Sequence, residues 1–321
     1  MNHRIQALLA AACTLAAGAS VCSAASAASA APPSASRPRA AAALHPGTRV
    51  DLTASLRGEA FANASYTFFA AQADRQRLAS VGRLYRRTAA VELGEHFREG
   101  AALAGLVGSN AANLRAAIKG ETYESTVMYP GFARAARRAG DLKAAALFTE
   151  IARDEAAHCK RFKAALAVVL TGKGRIPAPP KLDPVAVPAG TPKVRAARTK
   201  ADLDTAMHGE ARANAVYLQY AGRALRSGNP ALARLFSGSA AVELREHFAG
   251  EAVLAGLVRS TRVNLGRTVV NERYEADTMD PRFAKRARAA GDLAAARFFA
   301  DTAKDEARHA AAFQKALKNL R

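Results

Sequence analysis

A chain of 321 residues, half of them hydrophobic, has room for two ordinary domains, but it has no tryptophan, and alanine carries much of the apolar content. Three cysteines without a Cys-x-x-Cys pair exclude a disulfide framework, an iron–sulfur site and a zinc ribbon. The formal net charge of +20 suits anionic surfaces, yet its arginines and lysines are scattered along the chain as on solvated helix faces, so nucleic acid is an unlikely partner.

At the N-terminus, Arg4 followed by the apolar run from Ile5 to Ala19 predicts a signal peptide over residues 1–27, with Cys22-Ser23-Ala24 or Ala25-Ser26-Ala27 as cleavage site. The run is short for a spanning helix. Its removal leaves Cys159 alone and implies a periplasmic or secreted protein. Residues 28–48, rich in Ala, Ser and Pro, are expected to be disordered. No later stretch could cross a membrane, so the mature chain is not expected to be an integral membrane protein.

The remainder reads as all-α, because Ala, Leu, Arg, Lys and Glu dominate it and no β-branched alternation interrupts them. In the first half, helices are expected from Asp51 to Ala73, from Ala79 to Val107, from Ser109-Asn110 to Arg138 and from an Asp141 cap to Leu170. Pro130 should kink the third. The pattern then repeats without a gap at an offset of 151 residues, from Asp51/Asp202 to Leu166/Leu317. Val91-Glu92-Leu93 matches Val242-Glu243-Leu244, and Glu95-His96-Phe97 matches Glu246-His247-Phe248. This is a tandem duplication, with units at 49–170 and 201–321 separated by a proline-rich linker over 171–200. Only a few residues join the second and third helices. Each unit is therefore either a closed four-helix bundle or exchanges helix pairs with the other, and both arrangements stay open.

The repeated positions are rich in metal-ligand types. One copy presents Glu59, Glu92, Glu95, His96, Glu121, Glu124, Glu155 and His158; the other presents Glu210, Glu243, Glu246, His247, Glu272, Glu275, Glu306 and His309. Twelve of the fifteen glutamates in the chain fall in these matched slots, which a merely solvated face would not require. Glu121 with Glu124, and Glu155 with His158, share a helix face. Carboxylates and imidazoles without thiolate suit iron or manganese. A two-Glu helix beside a Glu-x-x-His helix is how a bundle holds two metals.

Gly58-Glu59 with Tyr66, Asn113-Leu114, Gly120-Glu121, Tyr123-Glu124, Met128-Tyr129-Pro130-Gly131-Phe132-Ala133 and Glu155-x-x-His158 resemble the rubrerythrin family, and the likeness covers both repeats. The resemblance implies a ferritin-like bundle around a non-haem di-iron centre that reduces hydrogen peroxide. It also implies that Glu59, Glu121, Glu124, Glu155 and His158, with Glu210, Glu272, Glu275, Glu306 and His309, are ligands. Tyr66, Tyr129 and Tyr217 would hydrogen-bond to them. The chain departs from the family in its second helix, where Glu92-Leu93-Gly94-Glu95-His96 places the histidine four residues after Glu92, as does Glu243 to His247. Either Glu95 and Glu246 take the histidine's place, or His96 and His247 reach in from one residue further on. Tyr129 is Asp280 in the second copy. No four-cysteine rubredoxin domain is seen, so electrons would come from a separate donor protein or from the substrate.

These features predict an exported di-iron oxidoreductase acting on peroxide or ferrous iron. The alternative is a metal-free ferritin-like module with a structural or interaction role in the cell envelope. A homodimer is compatible with either.

Overall fold

The computed structural model describes residues 44–320. The expected signal peptide (residues 1–27) and residues 28–43 of the segment expected to be disordered lie outside the described residues, while residues 46–48 of that segment are helical rather than disordered. Helix α1 (Pro46–Arg75) begins earlier than Asp51: His45 accepts the Gly47 N–H at 3.1 Å, and Pro46 occupies the first turn, where no N–H is needed. Asp51 is instead buried and receives the Arg286 guanidinium, with Nε 2.9 Å from Oδ2.

The second rod is α2 (Ala79–Val91), a π-helical turn (Glu92–Phe97) and α3 (Arg98–Leu103). The third is α4 (Asn110–Tyr123), a π turn (Glu124–Met128) and α5 (Tyr129–Arg138), and the fourth is α6 (Leu142–Thr171). The second repeat runs the same way. It comprises α7 (Ala197–Arg226), α8 (Pro230–Val242), a π turn (Glu243–Phe248), α9 (Ala249–Ala255), α10 (Thr261–Tyr274), a π turn (Glu275–Met279), α11 (Asp280–Ala289) and α12 (Leu293–Asn319). No strand occurs among the described residues. Pro130 and Pro281 sit in the first turns of α5 and α11, directly after a π turn, so the expected kink is a π-helical irregularity completed by proline. Asp141 is the N-cap residue of α6, as expected, and its carbonyl accepts the Ala145 N–H at 3.1 Å, but its side chain makes no capping bond. Its carboxylate accepts the N–H groups of Arg195 and Ala196 at 2.9 and 3.1 Å, fastening the end of the linker where α7 begins.

The repeats exchange helix pairs. After α3, Gly105 (φ 63°) adopts the left-handed conformation that glycine tolerates best, and the chain runs on into α4 and away from α1. Gly256 (φ 61°) does the same after α9, where any side chain would collide with Thr191 and Pro192 of the linker. One bundle thus consists of α1, the α2–α3 rod, the α10–α11 rod and α12. The other consists of α7, the α8–α9 rod, the α4–α5 rod and α6. The repeats are units of sequence; each bundle is half of one repeat and half of the other.

Helices α1 and α7 pack on each other and join the bundles. At their seam Phe61 stacks on His208 at 4.0 Å and meets Phe248 edge-on at 5.9 Å. Each bundle has an aromatic plug beneath its polar centre. Tyr66, Tyr85 and Phe313 fill one, with Tyr85 and Phe313 4.8 Å apart; Tyr217, Phe236 and Phe162 fill the other, with Phe162 and Phe236 5.3 Å apart. The linker is held along its length rather than free. Val185 N–H donates to the Arg245 carbonyl at 2.8 Å, Lys193 N–H to the Leu254 carbonyl at 2.8 Å, and Val187 and Val194 are buried.

Candidate metal centres

Two groups of carboxylates and imidazoles are buried inside the bundles, and each draws on both repeats. In the first, His96 Nδ1 lies 3.0 Å from Glu92 Oε2, 3.0 Å from Glu306 Oε1 and 3.4 Å from Glu59 Oε2. His309 Nδ1 lies 3.1 Å from Glu306 Oε2, 3.2 Å from Glu92 Oε1 and 3.3 Å from Glu272 Oε2. Glu92 and Glu306 thus present one oxygen to each imidazole, while Glu59 and Glu272 close the two ends.

The second group repeats this. His247 Nδ1 meets Glu243 Oε2 at 2.9 Å, Glu155 Oε1 at 3.1 Å and Glu210 Oε2 at 3.5 Å. His158 Nδ1 meets Glu155 Oε2 at 3.0 Å, Glu243 Oε1 at 3.2 Å and Glu121 Oε2 at 3.7 Å. Glu155 and Glu243 are the shared pair. The imidazole centroids are 6.0 Å apart in one centre and 5.9 Å in the other.

The π turns explain the irregular second helix. A fifth residue inserted into the turn brings Glu92 and His96 onto one face at a spacing of four, as it does Glu243 and His247. Of the two alternatives open in the sequence, His96 and His247 are buried in the centres. Glu95 points to solvent, and the half-buried Glu246 accepts the Asp183 N–H of the linker, so neither glutamate belongs to a donor set. Glu124 and Glu275 open the other two π turns and lie beside the centres, outside the converging donors. Glycine makes room for Glu275, since a Cβ on Gly58 would sit 3.3 Å from its Oε1, whereas one on Gly209 would only touch Glu124 Oε1, at 3.9 Å.

The three tyrosines reach carboxylates across the exchange. Tyr66 donates to Glu272, Tyr217 to Glu121 and Tyr129 to Glu210. Tyr129 Oη is also 3.0 Å from Oε1 of Glu251, a fully buried residue that sequence reasoning missed. The available signal was its mismatch, since the first repeat has Gly100 at that position. In the other centre Asp280 replaces Tyr129. It is fully buried, neither oxygen has a hydrogen-bond partner, and Ser55 Oγ is 3.3 Å from Glu59 Oε1 instead. Each centre therefore carries one additional buried carboxyl, from α9 in one and α11 in the other.

Electrostatics show what such packing demands. Burial, reinforced by Glu155, pushes Glu210 up to about 8, and burial with Glu306 pushes Asp280 up to about 8. Burial likewise raises Glu59, Glu121 and Glu272. For the imidazoles burial acts the other way, but the surrounding carboxylates win: His158 rises to about 10, led by Glu243 and Glu155, and His309 to about 12, led by Glu272 and Glu306. In both centres the negative charge calls for protons or for metal cations.

The donor set fits metal. Although imidazole nitrogens lie close to carboxylate oxygens here, Glu92 Oε1, Glu121 Oε2, Glu272 Oε2, Glu306 Oε1, both oxygens of Glu243 and both His247 nitrogens are buried without a properly aligned hydrogen bond. Leaving such atoms unpaired is costly, and a cation at each imidazole satisfies them together. In each centre the ligand atoms form two overlapping sets of four lying within 4.8 Å of one another, with two carboxylates common to both sets. The fold and the sites define a ferritin-like helical bundle protein with two buried carboxylate–imidazole clusters, each of a kind that can hold a pair of metal ions.

Comparison with known proteins places it further. The family model described as Rubrerythrin matches residues 91–166 and again 237–317. The chain is 39% identical over 138 residues to a rubrerythrin of Porphyromonas gingivalis, a match covering 39% of this chain and 68% of that protein. It is 36% identical over 131 residues to nigerythrin of Nitratidesulfovibrio vulgaris, covering 37% and 65%. With a rubrerythrin of the same organism it shares 35% over 128 residues, covering 36% and 66%. Each match thus spans about two thirds of the relative's length. No solved structure matches the chain. The chain belongs to the rubrerythrin family, in tandem duplicate, and the family implies non-haem iron in the two centres.

Proposed function

We infer that the chain is an exported di-iron oxidoreductase that reduces hydrogen peroxide, with ferrous iron as the substrate it oxidises while loading. The observation that carries this is the sharing of Glu92 and Glu306, and of Glu155 and Glu243, between two imidazoles. Carboxylates that present one oxygen each way hold two metal ions at the separation a small oxidant can span. Glu59, Glu92, His96, Glu272, Glu306 and His309 would hold one pair; Glu121, Glu155, His158, Glu210, Glu243 and His247 would hold the other. Manganese fits the same donors.

Bound iron supplies the two-electron chemistry. The chain's own groups do the rest. The aromatic plugs of Tyr66, Tyr85 and Phe313, and of Tyr217, Phe236 and Phe162, keep water from one side of each centre. Tyr66, Tyr217 and Tyr129 hold Glu272, Glu121 and Glu210 in place through their hydroxyls. Glu124 and Glu275, beside the donors and raised by burial, would hold and hand on protons during peroxide reduction. Reduction of one peroxide to two waters takes two protons and two electrons, the electrons coming from a separate donor protein.

The test is iron content and peroxide consumption of the mature chain after anaerobic ferrous loading. About four irons per chain, two at each two-metal centre, with peroxide consumed in proportion to reductant, is the expected result. A chain that takes up no iron overturns the reading and leaves a helical envelope module.

A further inference from the structure

A cavity of about 640 Å³ opens beside Glu124, at the centre built on Glu121, Glu155, Glu210 and Glu243. Tyr217 forms part of its wall and donates to Glu121, so the cavity reaches the edge of the donor set. Two glycines, Gly120 and Gly209, line it beside Glu124 and project no side chain into it; a Cβ there would lie in ordinary contact with Glu124, at 3.8 Å from Oε2 and 3.9 Å from Oε1. Its volume is in the range of small-molecule sites, roughly 300–1,000 Å³.

The lining is aromatic within and cationic at the rim. Tyr217 and Tyr220 are buried with ring centroids 6.2 Å apart, and Tyr123 stands at the mouth with 55% of its surface exposed. Lys119 and Arg212 are exposed at the rim, and neither takes part in an ion pair among the described residues. The duplication supplies an internal comparison. At the matching positions of the other bundle, Val270 stands for Lys119, Phe61 for Arg212, Asn271 for Gly120 and Phe69 for Tyr220. There Phe61 is committed to its stack on His208. The basic, tyrosine-lined mouth belongs to one centre only.

We propose that this cavity binds a small aromatic carboxylate, its ring against Tyr217 and Tyr220 and its carboxylate on Arg212 and Lys119. A guanidinium offers two parallel donors that match a carboxylate, and tyrosine faces give a flat ligand stacking area. The site goes beyond the proposed activity and needs no metal to form, so it is tested on the chelator-treated full chain, where its failure leaves the di-iron reading standing.

The experiment is calorimetric titration with benzoate, beside benzamide as the neutral analogue and inorganic phosphate as the anion without a ring. Saturable binding of one benzoate per chain is expected. Benzamide and the Arg212→Gln variant should each bind about tenfold more weakly, the weight of one charge-assisted hydrogen bond. Lys119→Gln should lose less, and Gly209→Leu, which fills the opening, should abolish binding. Arg212→Gln changes an exposed side chain and keeps the fold, so its result stands even where Gly209→Leu disturbs α7. Failure of benzoate to saturate, equal affinity for benzamide or phosphate, or an unchanged Arg212→Gln variant each overturns the proposal.

Discussion

His96 Nδ1 lies 3.0 Å from Glu306 Oε1, although the two residues belong to different repeats. His247 Nδ1 and Glu155 Oε1, at 3.1 Å, are the reciprocal pair. No centre can form from one repeat folded on itself in this arrangement. Duplication and helix exchange are therefore one device: the first helix pair of each repeat supplies three donors, and the second pair of the other supplies the remaining three.

An isolated first repeat should consequently not bind metal as a monomer. Residues 44–172 expressed alone are expected to pair with a second copy. Glu59, Glu92 and His96 of one molecule would then meet Glu121, Glu155 and His158 of the other. Sedimentation with and without ferrous iron checks this. A stable monomer holding iron would contradict the exchange.

The shared carboxylates predict an all-or-half pattern of loading. Glu306→Ala removes an oxygen from both metal positions of one centre and leaves the other untouched, so iron should fall from about four to about two per chain. Glu155→Ala should do the same, and the double variant should bind none. Glu95→Ala, altering a side chain that faces solvent, should leave iron content unchanged. Metal analysis of the four variants distinguishes these outcomes.

Much of this architecture was legible because duplication prints each functional residue twice. Glu121 and Glu272, or His158 and His309, stood out by their matched places alone. The direction of the second helix pair was not legible, since a short connection fits a hairpin as well as a crossing; Gly105 and Gly256 at positive φ set it. Nor does a helical period assumed constant place His96, because the π turn at Glu92–Phe97 advances the face by one residue. Glu251 was hidden for the opposite reason: it has no counterpart in the first repeat, where Gly100 packs against Leu56 and Phe298.

The buried carboxyls set a pH dependence for the metal-free chain. Glu210 is raised from 4.5 to about 8 by burial and Glu155, and His158 from 6.5 to about 10 against burial, by Glu243 and Glu155. A group with a raised folded pKa contributes its stability below the unfolded value and loses it as pH rises through the folded one. The metal-free chain should thus weaken between pH of about 4.5 and 10. Glu155 and Glu306, held low by the imidazoles despite burial, act oppositely and lose their contribution only in more acidic solution. Metal displaces the bound protons, so the rise in Tm on ferrous loading should be larger at pH 8 than at pH 5.5. Thermal melts at both values, with and without iron, measure it; a shift that shrinks with rising pH would contradict the assignment.

The hydroxyl of Tyr129 sits between Glu210 and Glu251, at 3.0 Å from the latter, and carries a single proton. A carboxylate only accepts, so both contacts are hydrogen bonds when one of the two carboxyls is protonated and donates to the tyrosine oxygen while the tyrosine donates to the other; the prediction is that Glu251 is that donor. Burial, together with Glu210, raises the Glu251 carboxyl against the lowering effect of the Tyr129 hydroxyl, and burial with Glu155 raises Glu210 too, so the variants decide which carboxyl holds the proton. Tyr129→Phe strips both glutamates of their partner and should cost roughly 1–3 kcal/mol of stability. Glu251→Gln, whose amide still donates to Tyr129, should cost little, whereas Glu251→Leu should weaken iron retention at this centre alone. Chemical denaturation of the metal-free variants and chelator extraction of the loaded ones read these effects separately. A Glu251→Gln variant as damaged as Tyr129→Phe would mean that Glu251 is not the donor.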